Sequence, residues 1–72
     1  METKRDKFVR LAEARTNKII DMLRLLGNCS NRANYDYTEA DVQKIFTAIE
    51  KELKNVRLKF SMSEIEDDRF KL

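Results

Sequence analysis

A chain of 72 residues with no proline, one glycine and 39% charged residues suits one small domain of long helices and excludes two domains. Its 15 basic and 13 acidic residues give a formal net charge of +2, far short of the excess that holds proteins to nucleic acid by charge alone. The sequence has no histidine and shows no catalytic, metal-binding or phosphate-binding motif. It therefore predicts a protein that is not an enzyme and needs no cofactor or metal.

The first predicted element is an amphipathic helix over residues 5–26. Apolar positions recur alternately four and three residues apart from Phe8 to Leu26, interrupted only by Arg15. Further apolar side chains flank this stripe and make it wider than one partner helix covers, so the excess is expected to face another copy of the chain or a different protein. The predicted oligomer interface comprises Leu11, Ile20, Leu23, Leu25 and, from the second helix, Ile45.

Capping signals define the ends of this helix. Thr3 or Asp6 is expected to cap its start, and Asp6 and Arg10 have the spacing of an ion pair on one helix face. Gly27 is predicted to end the helix in the left-handed conformation that a residue without a β-carbon adopts easily.

Residues 27–37 lack helical periodicity and are predicted to be a structured loop, because asparagine and serine side chains bond readily to their own backbone. The alternative is a recognition surface, since arginine and tyrosine dominate binding hot spots and also stack on bases. Cys29 is expected to be a small packing residue. The candidate partner-binding residues are Asn31, Arg32, Asn34, Tyr35 and Tyr37.

The second predicted helix covers residues 38–60. Thr38 and Asp41 have the spacing of a capping box, and Tyr37 and Val42 that of a hydrophobic staple. From Val42 the helix repeats the alternating spacing of the first stripe. Two stripes of equal length and period predict an all-α, coiled-coil-like antiparallel hairpin that assembles into a dimeric or higher-order helical bundle.

Arg15 lies in the middle of the first stripe, where an unpaired charge would be costly. The antiparallel alignment places it near Leu53 and Glu52, so Arg15 and Glu52 are predicted to form a pair that fixes the register. The alternatives are an arginine kept for a partner's carboxylate or phosphate, and a side chain that extends to solvent.

Residues 61–72 carry four acidic and two basic residues and are predicted to be an acidic tail or a short third helix. A continuation of the second helix is the further alternative. It would align a new apolar strip opposite the hairpin seam, made of Leu58, Met62, Ile65 and Leu72 together with Arg69.

A single cysteine fits a reducing compartment, and the polar start lacks the apolar core of a signal peptide. No apolar run approaches the roughly 18 residues of a membrane span. The expectation is a cytoplasmic protein without a membrane partner.

Four segments resemble a family of short uncharacterised proteins from Gram-positive gut bacteria and their phages and mobile elements. They are Leu11-Ala12-Glu13, Leu25 to Arg32, Tyr35 to Glu39 and Val42 to Phe46, and the resemblance covers about residues 4–60. The resemblance transfers no activity. Small phage-type proteins without catalytic residues often act by stoichiometric binding, including inhibition of a host defence system such as an anti-CRISPR performs, and this is the expectation that the resemblance adds.

The sequence therefore predicts a homo-oligomeric protein-interaction module that acts on an unidentified protein. The alternative function is a small DNA- or RNA-binding regulatory protein. It would use basic side chains of the first helix and the loop, namely Lys4, Arg5, Lys7, Arg10, Lys18 and Arg32.

Overall fold

A computed structural model describes the backbone of residues 1–67 and the side chains of residues 1–63. Over this part the chain is all-helical, with two helices and no strand. Helix α1 spans Lys4–Asn28 and helix α2 spans Glu39–Asp67. This element order is the one that a helical hairpin requires. The chain divides into two compact units, Met1–Asp36 and Tyr37–Leu72, and each contains one helix.

A capping box begins α1 and settles the choice between Thr3 and Asp6. Thr3 is the N-cap, and its side chain accepts a hydrogen bond from the Asp6 amide at 3.0 Å. The Asp6 carboxylate accepts from the Thr3 amide at 3.3 Å. Two amide donors that the helix leaves without an internal partner are thereby satisfied.

The end of α1 differs from the prediction. Gly27 lies inside the helix and does not have a positive φ, so the predicted left-handed cap is wrong. The helix ends instead in tight turns: the Cys29 amide donates to the Leu26 carbonyl at 3.0 Å, and the Ser30 amide donates to the Gly27 carbonyl at 3.1 Å. These bonds satisfy terminal carbonyls without a left-handed residue. Cys29 is exposed and is therefore not the packing residue that was expected.

Helix α2 begins with the predicted capping box. The Thr38 amide donates to the Asp41 carboxylate at 2.9 Å, and the Asp41 amide donates to the Thr38 hydroxyl at 3.2 Å. Tyr37 and Val42 are the partly buried side chains at this start, as a hydrophobic staple would make them.

The far end of α2 lies seven residues beyond the predicted boundary at residue 60, at Asp67. Neither proline nor glycine follows Phe60, so no residue in this stretch opposes helix continuation. Residues 61–67 therefore continue α2. The end of the predicted acidic tail, residues 68–72, lies outside the described residues. So do the side chains of Ile65, Arg69 and Leu72 from the alternative apolar strip.

Candidate interaction surfaces

Most side chains in the apolar stripe of α1 are exposed, and Ala12 and Leu26 are partly buried. No side chain among residues 1–63 is buried. Phe8 is 49% exposed, Ile19 60% and Met22 63%, although these residues line one face of a helix that is 25 residues long. An amphipathic helix whose apolar face is in contact with water gains most of its stability from the surface that packs against that face. The stripe is therefore a candidate contact surface.

This face of α1 is unusually wide. At about 100° per residue, the apolar positions from Leu25 on one edge to Ile20 on the other cover an arc of about 220°. Four predicted interface residues lie on α1, and the structure places them on two different flanks of the stripe. Leu11 and Leu25 lie on one flank, and Ile20 and Leu23 lie on the other.

Val9 also belongs to the second flank, and the predicted interface omitted it. It is partly buried, and it lies seven residues before Thr16, which in turn lies seven residues before Leu23. The sequence already predicts Val9 on a flank of the stripe at about 100° per residue, and the spacing of seven agrees with this position because residues seven apart share a helix face.

The stripe of α2 is narrower. Val42, Phe46, Ile49, Leu53, Val56 and Phe60, with Ile45 at the edge, cover an arc of about 100°. Leu53 is 61% exposed and Phe60 is 60% exposed. Leu58 and Met62 are also exposed but lie on the opposite side of the helix. One helix therefore carries about twice the apolar arc of the other.

The predicted register pair consists of two exposed side chains, Arg15 on α1 and Glu52 on α2. Arg15 lies within the α1 stripe, and Glu52 lies at the edge of the α2 stripe, next to Leu53. Their pairing stays a prediction, as does the membership of Ile45 in an oligomer interface.

Ion pairing at the start of α1 is different from the predicted pattern. The Arg10 guanidinium binds the Glu2 carboxylate through two bonds, Nε to Oε2 at 2.7 Å and Nη2 to Oε1 at 3.1 Å. The hydrogen bond from Arg10 holds the pKa of Glu2 below its usual value, and the same bond raises the pKa of Arg10. Asp6, the predicted partner of Arg10, serves the Thr3 cap instead. Glu2 was missed because it precedes the helix and has no helical spacing to Arg10.

The loop between the helices is folded by local bonds in its first half. Asn31 accepts the Ala33 amide on its side-chain oxygen at 3.0 Å, and its backbone carbonyl accepts the amides of Asn34 and Tyr35 at 3.1 and 3.0 Å. This pattern supports the predicted structured connection. Asn31 is thus a residue that shapes the turn.

The turn presents candidate contact residues to solvent. Arg32, Asn34 and Tyr35 are exposed, and Tyr35 is 52% exposed. Tyr37 lies in the second unit and is partly buried at the start of α2. The turn therefore offers Tyr35 as its aromatic contact.

Other kinds of site find little support in the described part of the chain. No group of three metal-ligating side chains comes together there. A shallow depression on α1 is open to solvent and bordered by Asp6, Val9 and Glu13 among others, so it does not exclude water from a reaction. Neither described helix contains a stretch apolar enough to cross a lipid bilayer.

Comparison of the chain with protein-family models, with curated proteins and with solved structures finds no match.

Proposed function

We propose that this chain is a non-enzymatic, homo-oligomeric protein-interaction module that acts by stoichiometric binding to another protein. The observation that carries the proposal is the exposure of most of two long apolar stripes in a chain with no buried side chain among residues 1–63. A chain of this length gains about 25 cal/mol per Å² of buried apolar surface and needs that gain to offset the cost of ordering its residues.

The first step of assembly is an antiparallel hairpin. Because both stripes have the same alternating spacing, such a hairpin matches them residue for residue, with Leu26 opposite Val42 at the loop end and Phe8 opposite Phe60 at the far end. The predicted pair of Arg15 and Glu52 belongs to this proposed alignment. A charge paired in this way costs stability in every other register.

The second step is self-association. The arc of α1 exceeds that of α2 by about 120°, so a hairpin still leaves apolar surface on α1 in contact with water. Contact with a further copy covers that surface. The apolar side chains proposed to be buried in these two steps are those of the predicted interface residues, Leu11, Ile20, Leu23, Leu25 and Ile45.

Binding of the partner protein is assigned to the loop. Arg32 and Tyr35 belong to the side-chain types that dominate hot spots, and the turn around Asn31 holds their backbone in place before binding. A preformed loop loses less conformational entropy when it binds. Asn31, Asn34 and Tyr37 complete the proposed partner-binding set.

The resemblance to small proteins of phages and mobile elements suggests the kind of partner. Such proteins act without catalysis by occupying a surface of a host enzyme, and an inhibitor of a host defence system is the proposed role in the cytoplasm of a Gram-positive host. The absence of histidine and the open surface of both helices favour binding over chemistry.

The test is capture of a partner by the tagged chain from a lysate of a Gram-positive gut bacterium. Tyr35→Ala is the binding variant, and Leu58→Ala, which removes an exposed side chain from the side of α2 opposite the stripe, is the control. The proposal expects one protein, retained in a fixed molar ratio by the parent and the control and lost with Tyr35→Ala. Equal retention by all three chains would contradict the assignment to the loop.

Nucleic-acid binding is the second candidate function, and the position of three lysines favours it. Lys4, Lys7 and Lys18 are exposed and lie on the same side of α1. Assembly of several copies would add such rows together. A labelled DNA or RNA duplex should then shift in a gel at about 50 mM salt and be released as the salt concentration rises. No shift at the lower salt concentration would eliminate this candidate.

A further inference from the structure

The acidic side chains of α1 all lie on one side of the helix, away from its apolar face, which is the arc from Leu25 to Ile20. Seven basic and three acidic residues give α1 a formal charge of +4. At about 100° per residue, the acidic side chains fall within an arc of about 80° opposite the middle of the apolar face. These three residues are Asp6, Glu13 and Asp21. The apolar face therefore contains no acidic residue.

Five of the seven basic side chains lie on the apolar face or at its edge. All five are exposed, and they are Lys4, Arg5, Lys7, Arg15 and Lys18. The Arg5 guanidinium lies over the Phe8 ring, 5.8 Å from its centroid, so cationic and apolar groups adjoin directly there. Within residues 1–63, the ion pair of α1 joins Glu2 to Arg10 on the polar side, and the five basic side chains have no acidic partner.

Exposed apolar side chains share this surface with the lysines. Lys7 and Lys18 lie along the same edge as Leu25, which is 58% exposed, and the neighbouring Met22 is 63% exposed. Nucleic-acid phosphates would neutralise the lysines but leave these apolar side chains in contact with water. The same face of a second copy would bring like charges together. A surface that is both apolar and anionic satisfies both kinds of side chain.

We infer that α1 binds with its apolar face to the surface of an anionic lipid bilayer, with the helix axis parallel to the membrane plane. The apolar side chains enter the boundary between headgroups and acyl chains. Lysine and arginine have long apolar stems, so their charged ends extend from this depth to the lipid phosphates. The three acidic side chains point to water. A fluid lipid surface also adapts to an apolar arc of about 220°, which is wider than one helix covers.

A helix of this kind lies on a bilayer and does not cross it. The expectation of no membrane partner came from the shortness of the apolar runs, which bears on a membrane span and not on a helix that lies at the surface. Only α1 takes part in this contact. Lipid binding is therefore independent of the loop and of the proposed protein partner.

Co-sedimentation with vesicles tests the requirement for charge. The 72-residue chain is mixed with vesicles of phosphatidylcholine alone, or with vesicles in which about one third of the lipid is phosphatidylglycerol. We expect binding to the anionic vesicles only, and release at about 0.5 M salt.

Two double variants with the same change in net charge locate the binding face. Lys7→Gln with Lys18→Gln removes two charges from the apolar face of α1. Lys44→Gln with Lys51→Gln, the control, removes two exposed charges from the side of α2 away from its stripe. One basic residue near an anionic surface strengthens binding about fivefold, so the first pair should weaken it at least about tenfold and the control less than about threefold.

Tryptophan fluorescence tests insertion of the apolar face. The chain has no tryptophan, so Phe8→Trp places a single probe on the apolar face and Asn17→Trp places one in the middle of the polar side. Lipids brominated on their acyl chains quench a tryptophan only when it reaches them. We expect strong quenching in Phe8→Trp and little in Asn17→Trp.

Equal binding to both kinds of vesicle, or equal quenching at both positions, would overturn the proposed lipid binding. So would the absence of binding to anionic vesicles at about 50 mM salt, and an acidic protein would then be the better ligand for this face. None of these results affects the capture of a protein partner through Tyr35. The proposed function would therefore stand if lipid binding failed.

Discussion

The side chains of Thr38 and Asp41 each accept a hydrogen bond from the other residue's backbone amide at the start of α2. The Thr38 amide donates to the Asp41 carboxylate at 2.9 Å, and the Asp41 amide donates to the Thr38 hydroxyl at 3.2 Å. This reciprocal pair fixes where the loop stops and the helix begins. It therefore places Val42, the first residue of the α2 stripe, in the first turns of the helix.

Loss of the cap should destabilise the fold. Thr38→Ala removes the acceptor of the Asp41 amide, and we expect the free energy of unfolding to fall by about 1 kcal/mol. Urea unfolding followed by circular dichroism at fixed protein concentration measures it. Thr47→Ala is the control, because Thr47 is exposed inside α2 and alanine is the better helix former there. An equal loss in both variants would mean that the cap contributes nothing specific.

The bond between Arg10 and Glu2 should be visible in a titration. Arg10→Gln removes the charged hydrogen bond, so the pKa of Glu2 should rise toward its ordinary value. Carbon-detected NMR of the Glu2 carboxyl follows this change, and Arg24→Gln is the control. Because the folded-state pKa of Glu2 is lowered, the pair stabilises the fold above the ordinary pKa of a glutamate and loses that effect as the pH falls through the lowered value. A Glu2 pKa that does not change in Arg10→Gln would show that the bond does not persist in solution.

Substitution of two leucines of α2 tests whether the apolar stripe of this helix is buried when the protein assembles. Leu53 is 61% exposed and Leu58 is 48% exposed, and they lie on opposite sides of the helix. If the stripe is covered on assembly, Leu53→Ala should cost about 2 kcal/mol or more, whereas Leu58→Ala should cost far less. Thermal unfolding at one protein concentration compares the two. Equally small effects would indicate that the stripe stays in contact with water.

Arg15 should control the uniqueness of the assembly. Arg15→Leu completes the apolar stripe, so the variant should remain helical but sediment as a mixture of assemblies, because the charge no longer opposes wrong registers. Arg15→Glu combined with Glu52→Arg should restore one species. If Arg15→Leu assembles like the parent and only partner binding disappears, Arg15 serves the partner and not the register.

The beginning of α2 could be predicted from the sequence because a capping box joins residues only three positions apart. A box of the same kind begins α1, where the sequence left the choice between Thr3 and Asp6 open. The end of α1 could not be predicted in the same way. Gly27 is compatible with a left-handed cap, but Cys29 and Ser30 close the helix through backbone bonds that any residue can form. The extent of α2 past Phe60 depends on the absence of a helix breaker, which is a weaker signal than the presence of a cap.

The candidate surfaces were predictable only in part. Asparagine-rich loops bond to themselves, and Asn31 does so, which explains why the loop is structured. The ion pair between Glu2 and Arg10 depends on the backbone conformation of the residues that precede α1. Its spacing does not follow the period of a helix, so the sequence pattern did not predict it. Which molecule covers the stripes depends on a second surface, and one chain's sequence constrains that surface only through symmetry and charge.

The most direct test of the central claim is sedimentation and helicity measured together on one dilution series, from about 100 μM down to the nanomolar range. If apolar stripes that no side chain of the same helix can cover are buried by self-association, helix content and mass should fall together as the protein is diluted. A species with the mass of one chain that keeps its full helicity and unfolds cooperatively would contradict the claim.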